Sequence, residues 1–354
     1  MNNFTSLQTT QANTLTLQVP LISLQTYELW VEILHVPTLA LSILGIITNI
    51  INIRVFLRQG VTSDSPTMSL FALSVSDFLV CSLIFPQAVC FYFDAHSDIQ
   101  NVLIKNCFVL STMASTYPHI VCTKITCWLT VYISVERAVS VVLPLKVKSM
   151  FKVQNTVKII VLICLVLVVA HIPYATTTSV IWLSDPNRNN SYRAVNSHSA
   201  LGSLFFQLNN IIINLSLTSV AMIVVAMATF TMVKRLIRSQ KWRALVSSAK
   251  YAQRTSQNDN ASDALSLKET EVVKTMVAIT TIFLACQAVS HIPAIVMSTV
   301  PGVAVDGYNR YVFNLIYSVR FVFEVLNSAV HFFVYFKLSS KYNKTLTDLR
   351  TKSS

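Results

Sequence analysis

The residues of this sequence that could do chemistry are the ionisable side chains inside its long apolar runs. A charge in hydrocarbon must be paired, bind an ion or be neutralised by protonation. Asp77 ends the run Leu73-Ser74-Val75-Ser76-Asp77, and Glu136 and Arg137 are neighbours in Ser134-Val135-Glu136-Arg137-Ala138. A carboxylate beside a guanidinium can hold it by a charge-assisted bond. Arg320 and Glu324 are four residues apart, so on a helix they share a face. Either they neutralise each other, or Arg320 is free to take an acidic ligand or a peptide C-terminus. Lys124, His291 and His119, the last beside Pro118, are further polar groups in apolar surroundings. The 7 histidines are scattered with no HxxxH or HExxH spacing, and the 7 cysteines form no CxxC pair. Zinc hydrolysis therefore has no ligand set to work with, and no metal or cofactor is expected.

The elements that must position these groups follow from composition. With 354 residues, 53% hydrophobic, 12% charged and only 5 glycines, the chain has too little polar surface to coat a soluble globule. A net charge of +12 raises the question of nucleic acid, but the Lys and Arg residues lie between apolar runs rather than along folded faces. A membrane is the expected environment, and nucleic acid is not an expected partner. A spanning helix needs roughly 20 mostly apolar residues. That template predicts seven helices, over about 33–57, 69–93, 108–136, 156–180, 203–232, 272–298 and 309–336. The expected fold is therefore an all-α seven-transmembrane bundle, with a polar tail over 1–32, the bundle over 33–336 and a tail over 337–354. The tail's Leu338, Tyr342, Leu346 and Leu349 recur at helical spacing among Lys residues, which predicts a short amphipathic eighth helix on the lipid surface.

Arg and Lys set the orientation. They follow the first, third, fifth and seventh spans densely, from Arg54 and Arg58 to Lys337, Lys341 and Lys344, while no Lys or Arg precedes Arg54. This predicts a multi-pass plasma-membrane protein with its N-terminus outside. Of the sequons, Asn3 and Asn189 fall on the outer side and are expected to be glycosylated; Asn260 and Asn343 fall inside and are expected to be unused. The first 30 residues lack the basic n-region and early apolar core of a cleaved leader, so the first span is expected to act as a signal anchor. The long polar interval at about 234–271 reads as a continuation of the fifth helix followed by a flexible loop. No internal repeat or Gly/Pro-broken helix pair is visible, so a channel or transporter is the alternative rather than the leading reading.

Taken together, several segments resemble rhodopsin-like G-protein-coupled receptors over nearly the whole chain. They are Gly45-Ile46-Ile47-Thr48-Asn49, the Asp77 run, Glu136-Arg137-Ala138 with Leu143-Pro144-Leu145, Phe283-Leu284-Ala285-Cys286, and Asn327-Ser328-Ala329-Val330-His331-Phe332-Phe333-Val334-Tyr335. The missing proline in the last segment and the wording around Glu136-Arg137 look most like invertebrate FMRFamide-receptor-like and molluscan chemosensory receptors. The resemblance implies an extracellular peptide or small chemosensory ligand, a heterotrimeric G protein and arrestin as partners beside membrane lipid, and no enzymatic activity. It places the ligand in the outer half of the bundle, among His119, Lys124, Gln287, His291, Arg320 and Glu324. It makes Asp77 a core polar residue, with Asn49, Thr126, Asn327 and His331 near it; because His331 replaces an Asn, sodium is not expected there. The bland reading of Asp77 is a packing bond to Asn49. The resemblance also makes Glu136, Arg137, Glu269 and Tyr335 the coupling switch, with both carboxylates clamping Arg137; the rival is an Arg137 that simply snorkels to lipid phosphates.

Departures from the family pattern limit what carries over. No Cys lies between Cys164 and Cys286, so the family's outer-loop disulfide is impossible. A Cys90–Cys107 bridge is conceivable, but two unpaired thiols are expected. The fifth helix lacks the usual proline, and the sixth has Gln287 and Val289 where Trp and Pro are usual, with Pro293 one turn later. Its kink should be displaced accordingly. His119 where aminergic receptors keep Asp argues against an amine, and Val325 where opsins keep Lys argues against retinal.

Overall fold

The computed structural model describes residues 20–96, 106–143, 149–176, 178–185, 191–252, 260–304 and 307–353. Seven helices among them are long and apolar enough to cross a membrane. They are α1 (Leu24–Gln59), α2 (Ser65–His96), α3 (Cys107–Val142), α4 (Val153–Thr176), α5, α6 (Asn260–Thr299) and α7 (Arg310–Leu338). The fifth, α5, is continuous but composite, with Ala200–Asn209, a π-helical stretch Asn210–Leu217 and Thr218–Ala252. A short α8 (Ser340–Ser353) follows α7. The chain is thus a seven-helix membrane bundle with an eighth helix.

Burial explains the packing. Apolar side chains such as Val161, Leu165 and Val169 of α4 and Ile223, Met227 and Phe230 of α5 stay exposed on the outer faces, where hydrocarbon would cover them. The polar residues turn inward. Gly45 lets α1 approach closely, because a Cβ there would run into Cys81 of α2 and touch Ala329 of α7. One end of the bundle, where α1, α3, α5 and α7 finish, is here called the basic end. Its apolar core joins Leu129 and Ile133 of α3, Met232 of α5, Met276 of α6 and Tyr335 of α7. Tyr342 and Leu346 of α8 dock into the same cluster, with Phe56 meeting Tyr335 and Tyr342 edge-on at ring centroid distances of 5.4 and 5.9 Å.

At the opposite end, β1 (Thr178–Asp185) and β2 (Ser191–His198) pair antiparallel as a hairpin, which the hydrophobic pattern does not announce. Cys90 and Cys107 are joined by a disulfide, with Cα atoms 5.2 Å apart, so the expectation of two free thiols there is wrong. The bond ties the far end of α2 to the start of α3. The neighbouring Asn106 then does what a loop cysteine would otherwise do: its side-chain carbonyl accepts the Ala194 N–H at 2.8 Å and fastens the hairpin to α3.

Three helix limits depart from expectation. α1 starts at Leu24 instead of 33 because the Ser23 hydroxyl caps it, accepting from the Thr26 N–H at 3.2 Å, so part of the presumed tail is helix. The interval at 234–271 is largely helical: α5 continues to Ala252 and α6 begins at Asn260. Only 253–259 of it lie outside the described residues. The proline-free α5 is instead interrupted by its π-helical stretch, and such stretches commonly mark functional positions.

Candidate functional site

Three buried polar centres are strung along the bundle, and α3 gives their spacing. His119, Thr126 and Arg137 cover eighteen steps of helix, or about 27 Å at 1.5 Å per residue. On α7, Arg320, Glu324, Ser328, His331 and Tyr335 follow one another at intervals of three or four and are all buried, forming one inward stripe that meets each centre in turn.

The centre nearest the hairpin is charged. Arg320 Nε donates to Glu324 Oε1 at 2.7 Å, and the other Glu324 oxygen lies 3.1 Å from His119 Nε2. His119 is held on its second nitrogen by the Val80 carbonyl at 3.1 Å. The Arg320 guanidinium also sits 5.4 Å from the centroid of the Tyr317 ring. Lys124 Nζ donates to Thr218 Oγ1 at 3.0 Å. The Thr218 hydroxyl donates to the Ile213 carbonyl five residues back, and its backbone N–H reaches the same carbonyl in the bond of a π-helix, so the local widening of α5 positions the lysine's partner. His291 Nε2 is 3.0 Å from the Ser219 hydroxyl. Gln287 lines a small cavity of about 10 Å³, roughly the space of one water, together with Thr123, Ser290, Glu324 and Asn327. All six side chains expected in the ligand pocket are buried; contacts join His119, Arg320 and Glu324, whose i, i+4 pair is formed, while Lys124 and His291 bond hydroxyls of α5.

The middle centre is Asp77, fully buried. It accepts from His331 Nδ1 at 2.7 Å, Ser328 Oγ at 3.0 Å and Thr126 Oγ1 at 3.2 Å, which joins α2, α3 and α7. Asn49 makes no bond to Asp77, so the simple packing-bond reading fails. Its amide donates instead to the carbonyls of Gly45 and Ser328, both at 2.9 Å. Asn327 faces the cavity, and its side-chain oxygen has no partner. Ser328 was missed from sequence although it directly follows Asn327 in the segment that carries the resemblance.

From Asn49 the network turns towards α8. Asn52 Nδ2 donates to Asn49 Oδ1 at 3.3 Å, and the Tyr342 hydroxyl donates to Asn52 Oδ1 at 2.7 Å. Asn52, one helical turn beyond Asn49, could have been found by its i, i+3 spacing in an otherwise apolar run. Burial pushes the Tyr342 hydroxyl above its ordinary range, which keeps it a donor.

The centre at the basic end holds Glu136 and Arg137. Their closest approach is 3.8 Å, an ion pair but not a hydrogen bond. The carboxylate is committed to α2: it accepts from the Ser65 hydroxyl in a short bond and from Ser69 Oγ at 3.1 Å. The expected direct clamp by Glu136 is thus loosened, because two serines one turn apart on α2 outcompete the neighbouring guanidinium for the same oxygens. Arg137 Nε is buried without a partner. Glu269 belongs to α6, but its side chain lies outside the described residues. Two residues on, Glu271 accepts from the Ser340 hydroxyl at 3.0 Å and so links α6 to α8. Tyr335 packs between Phe56 and Tyr342, with its hydroxyl unpaired. Asn3 and Asn189 lie outside the described residues.

This arrangement, three buried polar centres inside a bundle of spanning helices, is that of a multi-pass membrane protein. Residues 37–352 match the family described as serpentine type 7TM GPCR chemoreceptor Srw. The match covers nearly all of the chain, and the chain belongs to that family, one of chemosensory receptors rather than enzymes. Comparison with curated proteins returns no match.

Proposed function

We propose that this chain is a plasma-membrane receptor of the rhodopsin-like type, with its N-terminus outside, that binds a peptide or small chemosensory ligand near the hairpin end and activates a heterotrimeric G protein at the basic end. The observation that carries the reading is the α7 stripe. Arg320 and Glu324 belong to the outer charged centre, Ser328 and His331 bond Asp77, and Tyr335 seals the core beside Arg137's helix. A ligand that shifts α7 at Arg320 necessarily disturbs bonds at each lower level, which is what coupling between two ends requires. The density of Lys and Arg after α1, α3, α5 and α7 supports placing the basic end in the cytoplasm, where arrestin as well as G protein would meet it.

The outward swing of α6 would break the Met232–Met276–Tyr335 packing and expose Arg137 to the G protein. Two carboxylates on α6 are available to hold the closed state: Glu269, by its position in the resemblance, and Glu271, through Ser340. The test is nucleotide exchange on a heterotrimeric G protein catalysed by the purified receptor in lipid nanodiscs. Exchange above the receptor-free rate, lost in Arg137→Ala at equal folding, is expected. Ion flux in liposomes with no exchange would replace the receptor by a channel.

A further inference from the structure

Both ring nitrogens of His119, a fully buried side chain of α3, face oxygens that accept. Nδ1 lies 3.1 Å from the Val80 carbonyl of α2, and Nε2 lies 3.1 Å from Oε2 of Glu324 on α7. A carbonyl has no hydrogen to give and a neutral imidazole has one N–H, so with a neutral His119 beside an ionised Glu324 one contact sets two lone pairs against each other. Both contacts are hydrogen bonds only when the His119–Glu324 pair holds one extra proton. Arg320 Nε donates to the other Glu324 oxygen at 2.7 Å, which favours the ionised carboxylate and leaves that proton on the imidazole. His119 stands apart in this. In His35, His171, His291 and His331 the hydrogen bonds formed among the described residues use one ring nitrogen.

The surroundings act on that proton in both senses. Glu324 attracts it, while the buried Arg320 and Lys124 bring like charge to the same region. Arg320 is turned in part to the Tyr317 ring, 5.4 Å from its centroid. On α2, Asp77 lies one turn from Val80 and is engaged by His331, Ser328 and Thr126. α4 and α6 bring His171 and His291, bonded to the Leu167 carbonyl and the Ser219 hydroxyl, and α1 brings His35, stacked on Phe91 at 3.6 Å. Among the described residues, Glu324 alone forms an ion pair with His119, and the Phe321 ring meets the imidazole edge-on at 5.4 Å. A proton needs no cavity to bind, and the small one of about 10 Å³ that Glu324 lines has room for one water to hand it on.

We propose that the proton is itself a ligand of this chain, bound between His119 and Glu324, and that its loss loosens α3 from α2 and α7. In that step an N–H bond of His119 breaks, its electron pair stays on the nitrogen, and the proton passes to water. One N–H then serves two acceptors. His119 holds α2 or α7 but not both, and its ion pair with Glu324 is gone in either case. Glu324 belongs to the α7 stripe that continues to Ser328 and His331, so acid fastens the stripe and alkali frees it. The inference rests on the receptor reading only for its signalling readout.

The full-length receptor and its His119→Gln and His119→Asn variants are compared in nanodiscs at constant ionic strength, from about pH 5.5 to 8.5, which spans the ordinary titration of imidazole. The substituted side chains are neutral throughout. A proton held by the folded state gives stability that is present in acid and lost as pH rises. Across this range the wild-type thermal midpoint is therefore expected to fall by about 3 to 12 °C more than that of either variant, the size of one charge-assisted hydrogen bond. Taking the difference between profiles removes what His331 and the other histidines contribute. A merely structural His119 would lower the variants' midpoints by the same amount at every pH, and that result overturns the proposal. Should neither variant fold, ¹⁵N spectra of histidine-labelled His331→Asn protein decide the matter. At about pH 7 one histidine is expected to show both nitrogens protonated, apart from the averaged signals of freely titrating ones, and its absence overturns the proposal. Ligand-free nucleotide exchange on the G protein, corrected for the receptor-free rate, is expected to rise about threefold or more from acid to alkali in wild type but not in the variants. A His119-dependent midpoint shift with no exchange at any pH sinks the receptor reading alone. Exchange whose pH dependence is the same with and without His119 sinks this inference alone.

Discussion

The bond between Asp77 and His331 can be isolated by a double-mutant cycle. Asp77→Asn keeps the side-chain shape and leaves an amide oxygen for the hydroxyls of Thr126 and Ser328, but it places an NH₂ or a neutral carbonyl opposite His331 Nδ1, now 2.7 Å from a carboxylate oxygen. What is lost is one charge-assisted hydrogen bond between fully buried groups, worth about 1.5 to 3 kcal/mol. His331→Asn removes the same bond from the other side and leaves Asp77 its two hydroxyl donors. If the contact is a single shared bond, the double variant repeats most of the loss already made by either single, and the coupling energy is about 1.5 to 3 kcal/mol. At roughly 2 to 4 °C per kcal/mol for larger domains, each single variant should lower the thermal midpoint by about 3 to 12 °C. The measurement is thermal unfolding of the purified receptor and its three variants in the same nanodisc. Additivity within about 0.5 kcal/mol would refute the shared bond. Exchanging sodium for potassium should leave the wild-type midpoint unmoved, since three side-chain donors, His331, Ser328 and Thr126, already engage the Asp77 carboxylate.

Three other outcomes are expected. Glu269→Ala should raise ligand-independent second-messenger output severalfold at matched surface expression, because a carboxylate bond at the membrane edge contributes about 1.5 to 3 kcal/mol to the closed form; unchanged output together with a coupling-competent Arg137→Ala would refute the switch. Glycosidase treatment of single-sequon variants should shift Asn3 and Asn189 but not Asn343, and a glycan on Asn343 would overturn the orientation. Asp64 caps α2, accepting the Thr67 N–H at 2.7 Å, and Asp64→Ala should destabilise by about 1 kcal/mol. Burial opposes ionisation of this half-buried carboxyl, yet the Thr67 N–H and hydroxyl, Lys341 and Ser63 together hold it below its ordinary range. A depressed carboxyl stabilises above its unfolded value and loses that contribution as pH falls through the folded one. The gap between wild type and variant in thermal midpoint should thus be constant from neutral to about pH 5 and close below about pH 4.

Much of the fold was legible because a spanning helix is a property of a window of residues, and α4, whose exposed face is almost entirely Val, Leu and Ile, reads as one from composition alone. The ends were not legible, because they depend on single side chains. One hydroxyl on Ser23 carries α1 back to Leu24. The α6 extension to Asn260 runs through a polar, Ser/Ala-rich stretch with no apolar face to betray it. For Cys90 and Cys107 the sequence favours two free thiols over a conceivable bridge, because the usual partner in the second loop is missing. Yet the loop's tether and the disulfide are separable tasks, and here Asn106 does the first and Cys107, its neighbour, the second.

The candidate site divides in the same way. Charged residues in hydrocarbon announce themselves, so Asp77, Glu136, Arg137, Arg320 and Glu324 could be named from their surroundings, and the Arg320–Glu324 pair from its spacing alone. Their actual partners could not, since small hydroxyl residues are common in spanning helices and carry no signal of which way they face. Ser65 and Ser69 take the carboxylate that adjacency assigns to Arg137, and Ser328 and His331 take the one that adjacency in space was expected to give Asn49. The consequence reaches function. With Glu136 held by α2, its 3.8 Å ion pair is a weak restraint on Arg137, and on the proposed receptor reading the carboxylate whose loss should switch the receptor on is Glu269 rather than Glu136, which the comparison of Glu269→Ala with Arg137→Ala tests.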